Sequence, residues 1–369
     1  MNKKILAVAV ATALAAPLAA QAGDINFYGK AQVELQNTKT DGAPVIGTND
    51  VNKTIRNLID DGPDSRFGFN ASEDLGDGLT GIAHMDWLVD VANGATNELV
   101  AREHYVGLSG GFGTVIAGRI QGVYKTTNLD PYISTTLEAR NLGGQSSGNF
   151  GHNGFINNMI KYSNKFGQVT FSAMLNPSNA DAGSAGGNSG NGDFQADLSY
   201  KGGPLRALIA YSKNKEAGGA NTPDEKRTKI AGQYTMGPHQ FTAQYETIKD
   251  YTPGNIGGTR SPGALALLRD SGVIATATGT NPGDLGDAKF WYLAYDFDMG
   301  NMNDIYLRYG QEKYNDLNDA KNTAYALAFR HKMSKTMNVW VGYFQQKWKD
   351  TGTYEPKTST FTVGMVKNF

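Results

Sequence analysis

Read for alternation between apolar and polar positions, the chain breaks into sixteen short alternating segments. They lie at 24–36, 65–73, 79–92, 98–108, 112–119, 155–163, 168–176, 193–201, 205–213, 227–236, 240–249, 287–298, 302–311, 321–332, 336–348 and 358–369. In the first, Ile25, Phe27, Ala31, Val33 and Leu35 oppose Asn26, Lys30, Gln32 and Glu34. In the third, Leu79, Ala83, Met85, Trp87, Val89 and Val91 oppose Thr80, His84, Asp86 and Asp90. In the twelfth, Trp291, Leu293, Tyr295 and Phe297 oppose Tyr292, Asp296 and Asp298. Around 336–348 Val339, Val341 and Tyr343 compete with Trp340, Gly342 and Phe344, so the pattern assigns no face there. In REHYVGL it places Glu103 on the outward parity beside Tyr105 and Gly107, where only a subunit contact or the headgroup level suits a carboxylate.

The connections alternate in length. EDLGDG, SGGFG, SNKFGQ, KGGP, TMGPHQ, DMGNM and KMSKT are turn-like, whereas 37–63, 120–154, 177–192, 214–226 and 250–286 are long. A sandwich with Greek-key crossovers mixes its lengths. Strict alternation with an even strand number is the signature of an up-and-down barrel in an outer membrane. Sixteen strands enclose too wide a space for side chains to fill, so the polar parity faces a water-filled lumen. Termini are usually polar and loose, yet strand alternation here runs through Phe361, Val363 and Met365 to Phe369. Pairing of the first strand with the last would hold that end.

Composition sharpens the class. The 369 residues include 46 Gly, 18 Tyr and 16 Phe, few helix-like stretches and a mean hydropathy of −0.42, which argues against a helical membrane protein. The first 22 residues, a basic MNKK, an apolar ILAVAVATALAAPLAA and a small-residue AQA, form an expected export leader ahead of a single barrel over 23–369. Basic residues number 34 and acidic 35, and loss of Lys3 and Lys4 with the leader makes the rest slightly more acidic. That balance excludes a surface that generally seeks nucleic acid. The absence of cysteine excludes a disulfide scaffold, thiol chemistry and Cys-metal sites.

Motifs of catalysis are weak. GLSGG at 107–111 fits the nucleophile-elbow spacing, but a strand follows where a helix is required, so Ser109 reads as a turn residue. His84, His104, His152, His239 and His331 show no metal spacing, and His84 and His104 read as lumen-facing. GSAGGNSGNG at 183–192 lacks the Lys-Ser/Thr of a phosphate loop. DLGDG at 74–78 and GDLGD at 283–287 lack the acidic ligands of a calcium loop. SPGALALLRDSG at 261–272 reads as one short helix in a loop. No cofactor or metal is expected.

SRFGFNASEDLGDGLTG (65–81), REHYVGLSGGFGTVIAGR (102–119), the opening INFYGKAQVEL and the closing VGMVKNF together resemble the Gram-negative trimeric general porins. The resemblance covers both ends and the second to fifth strands, and the middle only by pattern. It implies a sixteen-stranded antiparallel transmembrane β-barrel and a homotrimer in outer-membrane lipid and lipopolysaccharide. Passive diffusion of ions and small hydrophilic solutes would follow, without catalysis. It further implies that the loop at 121–154 folds into the lumen as a constriction. Matched residue by residue, Lys30, Arg66 and Arg102 would be the wall bases, Asp130 and Glu138 the loop acids, and Phe369 the assembly signal. The sequence departs from the family where a further wall arginine is common: GHNGFINNMIKY offers only His152, while Lys125 and Arg140 dilute the loop's acidity. A substrate-preferring porin for an oligosaccharide or an anion is the alternative, with an enzyme or a non-conducting adhesin or structural barrel behind it.

Overall fold

A computed structural model describes residues 23–42, 52–59, 65–92, 99–126, 129–139, 155–177, 193–215, 224–250, 287–315, 320–349, 355 and 357–369. The expected leader, the segment 183–192 and the expected helix at 261–272 lie outside these residues, as do Arg140 and His152.

The strands in chain order are β1 (Asp24–Asp41), β2 (Asn52–Ile59), β3 (Arg66–Gly76), β4 (Leu79–Leu88), β5 (Val100–Gly110) and β6 (Gly113–Gln121). A four-residue helix, α1 (Val123–Thr126), precedes β7 (Phe155–Phe166), β8 (Val169–Leu175), β9 (Phe194–Gly202), β10 (Leu205–Asn214) and β11 (Glu225–Met236). Then come β12 (His239–Lys249), β13 (Ala288–Gly300), β14 (Asn303–Tyr314), β15 (Lys321–Lys332), β16 (Met337–Lys349) and β17 (Lys357–Asn368). β1 pairs antiparallel with β2, successive strands from β3 to β17 pair antiparallel with one another, and β17 pairs with β1, so the sheet closes on itself as a barrel of sixteen strand positions. One position is shared: β2 pairs with Glu34–Asp41 of β1 and β3 with Asp24–Lys30. The sequence pattern read 37–63 as a long connection. The structure corrects this, for β1 and β2 carry the first hairpin into it. Ile55, Leu58 and Ile59 do not alternate, so β2 leaves no period-two signal.

The faces follow the pattern. Ile25, Phe27, Leu35, Leu293, Leu307, Leu327, Phe361, Val363 and Met365 are exposed on the exterior, while Gln32, Glu34, Tyr292, Arg308 and Thr362 are buried inside. An apolar exterior with a polar interior inverts a soluble protein and suits a barrel in lipid. β16 now has an assignment, with Val341 outside and Trp340 and Phe344 inside. Its inner face is apolar because a loop covers it, Leu137 standing where a Cβ on Gly342 would go.

The seam holds Phe369. Its backbone N–H donates to the Gly29 carbonyl at 3.0 Å, and its carbonyl accepts from the Gly29 N–H at 2.8 Å. On the other side the Asn368 N–H donates to the Thr336 carbonyl at 2.8 Å. The Phe369 ring lies over Gly29, where any Cβ would collide with it.

Candidate functional site

The site begins with an irregularity in β5. The register against β4 shifts between Met85 and Trp87, so Arg102 and Glu103 together oppose Asp86. Such a bulge turns two successive side chains toward one face. Arg102 Nε lies 3.2 Å from Asp86 Oδ2, and the Glu103 N–H donates to Asp86 Oδ1 at 2.7 Å. Glu103 therefore points inward, its Oε1 accepting from the Gln121 N–H at 2.9 Å. This corrects the outward placement of Glu103 and Tyr105 read from parity. Past the bulge Tyr105 stacks on inward His84 at 5.0 Å, whereas Val106 and Leu108 are exposed outside. His104 is corrected as well: it packs edge-on against Trp87 at 4.9 Å, in the exterior cluster that includes Phe67 and Phe69.

Around Asp86 the wall gathers charge. Arg66 Nε is 3.9 Å from Asp86 Oδ2 and His84 Nε2 is 3.8 Å from Oδ1, while Lys30 sits directly across from Arg66 in the ladder. The Arg102 guanidinium lies 4.7 Å from the centre of the Phe155 ring, and the Lys125 ammonium lies 4.8 Å from it. Lys30, Arg66 and Arg102 thus share one wall, with Lys125 of α1 brought beside them. The carboxylate paired with the arginines is Asp86. The pattern put it on the polar parity, but nothing in a single strand reveals which cross-strand neighbours it meets.

The loop that follows β6 crosses the interior. Val123 packs on an inner apolar patch of Ile116, Ile120, Ile156, Met159 and Met174. The Tyr124 carbonyl accepts from Lys229 Nζ at 2.5 Å, and Leu129 packs on Leu208 and Ala231. On the far side Tyr132 stacks on Tyr306 at 4.6 Å beneath the guanidinium of Arg330. Burial holds the Tyr132 phenol well above its ordinary pKa, so it stays a neutral donor to Asp304 at 3.4 Å. The segment reaches β1, where Gln32 donates to the Ser134 carbonyl and Glu34 accepts from the Thr136 N–H and hydroxyl and from Thr362 at 3.0 Å.

The two loop acids are turned to the loop's own backbone. Asp130 accepts from the Tyr132 N–H at 2.9 Å, from the Ala139 N–H and from the Tyr306 hydroxyl at 3.2 Å. Glu138 Oε2 accepts from the Ser134 N–H at 2.6 Å. Both carboxylates are buried, as is Asp86, whose side chain is 4% exposed against 28% for Arg66. On this wall Lys30, Arg66 and the acid Glu103 stay partly exposed, while Arg102 and Lys125 are buried with Asp86.

Other expected sites are plain structure. Ser109 lies near the end of β5, with its hydroxyl 2.9 Å from that of Thr114 across the hairpin. Among the described residues no group of three or more His, Asp or Glu could hold a metal ion.

Comparison with known proteins agrees with this architecture. Over 160 residues the chain is 37% identical to the major outer membrane protein P.IA of Neisseria meningitidis serogroup B, spanning 39% of this chain and 40% of that one. It is 36% identical over 143 residues to the major outer membrane protein P.IB of Neisseria sicca, at 38% and 37% coverage. The matches thus span about two fifths of the length of these curated relatives. Among solved structures, an anion-selective porin from Comamonas acidovorans superposes with a TM-score of 0.70 at 18% identity, over 94% of this chain and all of that one. OmpF of Salmonella typhi, solved with daunomycin, gives 0.67 at 14% identity, over 94% and 98%. Those two likenesses concern the fold. A family model described as Gram-negative porin matches residues 7–351, and the chain belongs to the Gram-negative porin family.

Proposed function

We propose that this protein is an outer-membrane porin, a water-filled channel through which ions and small hydrophilic solutes diffuse passively. The observation that carries the reading is a closed barrel, apolar outside and polar within, narrowed by the 122–139 segment lying inside it rather than over its mouth. No catalysis or cofactor enters this function. Lys30, Arg66 and Arg102 form one side of the constriction. Asp130 and Glu138 serve it chiefly by fixing the loop's shape, since their oxygens hold loop N–H groups. Planar-bilayer recording of the purified protein tests this: stepwise, ohmic conductance is expected, and a silent barrel would favour a structural or adhesive role.

The finer reading is a preference for anions over cations. It is supported by Lys30 and Arg66, which stay partly exposed while Asp86, Glu34, Asp130 and Glu138 are buried. Charged rings and pore width set selectivity in channels of this kind. The proposed assembly is a homotrimer embedded in outer-membrane lipid and lipopolysaccharide, joined across the exterior of β1 to β5. The support is His104, an imidazole set among Phe67, Phe69 and Trp87 on a face that would otherwise meet hydrocarbon.

A further inference from the structure

Among the described residues, a cation is buried on the opposite wall without a hydrogen-bond partner. Arg308, on the inner face of β14, is 3% exposed, and none of its three guanidinium nitrogens donates a hydrogen bond among the described residues. The ring of Phe344 lies 5.6 Å from the guanidinium carbon, and the phenols of Tyr292 and Tyr306 are near enough to feel its charge. Two of the acids nearby are already engaged. Asp130 is held by Tyr132, Ala139 and Tyr306, and Asp304 by Arg330 at 3.0 Å and Lys332 at 3.2 Å. Asp296, on the same face of β13 as Ala294, has an oxygen without a partner but forms no ion pair with Arg308 among the described residues.

Arg308 is not alone. Gln244 on β12 is also 3% exposed, and neither atom of its amide has a partner among the described residues. Gln244 pairs across the ladder with Tyr292, and Arg308 with Ala294, two positions farther along the same face. Above them runs the loop: Leu129 packs on Ala231, which faces Gln244, and Asp130 bonds to Tyr306, which precedes Arg308 on its face. The inner positions flanking Arg308 are Ala294 and Ala326, small side chains beside a long one. A buried guanidinium is strongly unfavourable unless it is both paired and hydrogen-bonded. Five N–H donors on a buried guanidinium call for an acceptor of negative charge, and the residues directly across the ladder, Ala294 and Ala326, offer none.

We propose that Arg308, assisted by the Gln244 amide, binds a halide-sized monovalent anion between the β12–β14 wall and the 129–132 segment of the loop. The site is separate from the Lys30–Arg66–Arg102 wall and independent of whether the pore prefers anions. The bound anion completes the seat of the loop, tying its underside to the wall through one charge.

The probe is bromide. Crystals of the protein grown in bromide should show an anomalous peak within hydrogen-bond reach of Arg308, and Arg308→Gln crystals should lack it. In detergent at constant ionic strength, the thermal transition of the wild type should rise saturably as bromide replaces a bulky organic anion, since a ligand bound only by the folded state raises its stability. Arg308→Gln should remove that dependence, and Gln244→Leu should weaken half-saturation about tenfold, as loss of one charge-assisted contact implies. Arg308→Gln removes a buried charge and is expected to fold. No peak at Arg308, a peak that persists in Arg308→Gln, or an Asp296 carboxylate turned onto the guanidinium would overturn the proposal. Bilayer conductance is read separately, so loss of the porin reading would not be mistaken for loss of this site.

Discussion

At the scale of single residues, the arrangement on the basic wall makes the plainest prediction. Two unit charges ~10 Å apart interact by about 0.4 kcal/mol in bulk water and about 1.7 kcal/mol at an effective dielectric near 20. If Lys30, Arg66 and Arg102 line the constriction as proposed, an ion passing them feels a bias of roughly 1–3 kcal/mol, enough to change permeability ratios several-fold. Arg66→Glu combined with Arg102→Glu should move the zero-current potential under a salt gradient toward cation preference. The shift should shrink at 1 M salt, where the Debye length is about 3 Å. An unmoved potential at low salt would remove these arginines from the constriction. Most of this wall was legible in the sequence. Lys30 follows from parity, and Arg66 and Arg102 from resemblance. Glu103, Tyr105 and His104 were misread for one reason: parity counting assumes an unbroken ladder, and the bulge at Arg102–Glu103 inverts every later side chain of β5. Arg308 was hidden differently. It falls on a readable parity, but burial under a loop is set by how that loop folds, which no local period encodes.

At the scale of elements, the loop and the seam each rest on a few contacts. Glu34 holds the far end of the loop through the N–H and hydroxyl of Thr136, and accepts a third hydrogen bond from Thr362 of β17. Glu34→Ala should free that end at a cost of about 1–3 kcal/mol, because the donors lose a buried charged acceptor. The expected outcome is larger and noisier single-channel conductance, and unchanged traces would show that the remaining anchors suffice. At the seam, Gly29→Val forces a side chain into the Phe369 ring, and Phe369→Ser removes that ring. Both should lower the yield of folded barrel extracted from outer membranes, and normal yields from both would argue against any role of this contact in assembly. The strands with one clean apolar parity were readable in advance. β16 was not, because Leu137 lies over Gly342 and makes both its faces apolar.

At the scale of the whole molecule, the exterior carries the prediction. In mild detergent the protein should size as a trimer. His104→Lys, which places a flexible cation among Phe67, Phe69 and Trp87, should shift it toward monomer while leaving β-sheet content unchanged. A monomeric wild type would instead assign this face to lipid. Closure has a consequence in time as well as in space. Glu34 and Thr362, which share one hydrogen bond across the seam, are 328 residues apart in the chain. Contacts of such separation form late, because the loop-closure entropy must be met before they give any return. Until β17 meets β1, the nascent sheet carries two open edges and an apolar outer face, each able to recruit another chain. The same ring that leaves the finished barrel without an edge makes the unfinished one adhesive, and the slowest stage of its folding is the one most in need of escort.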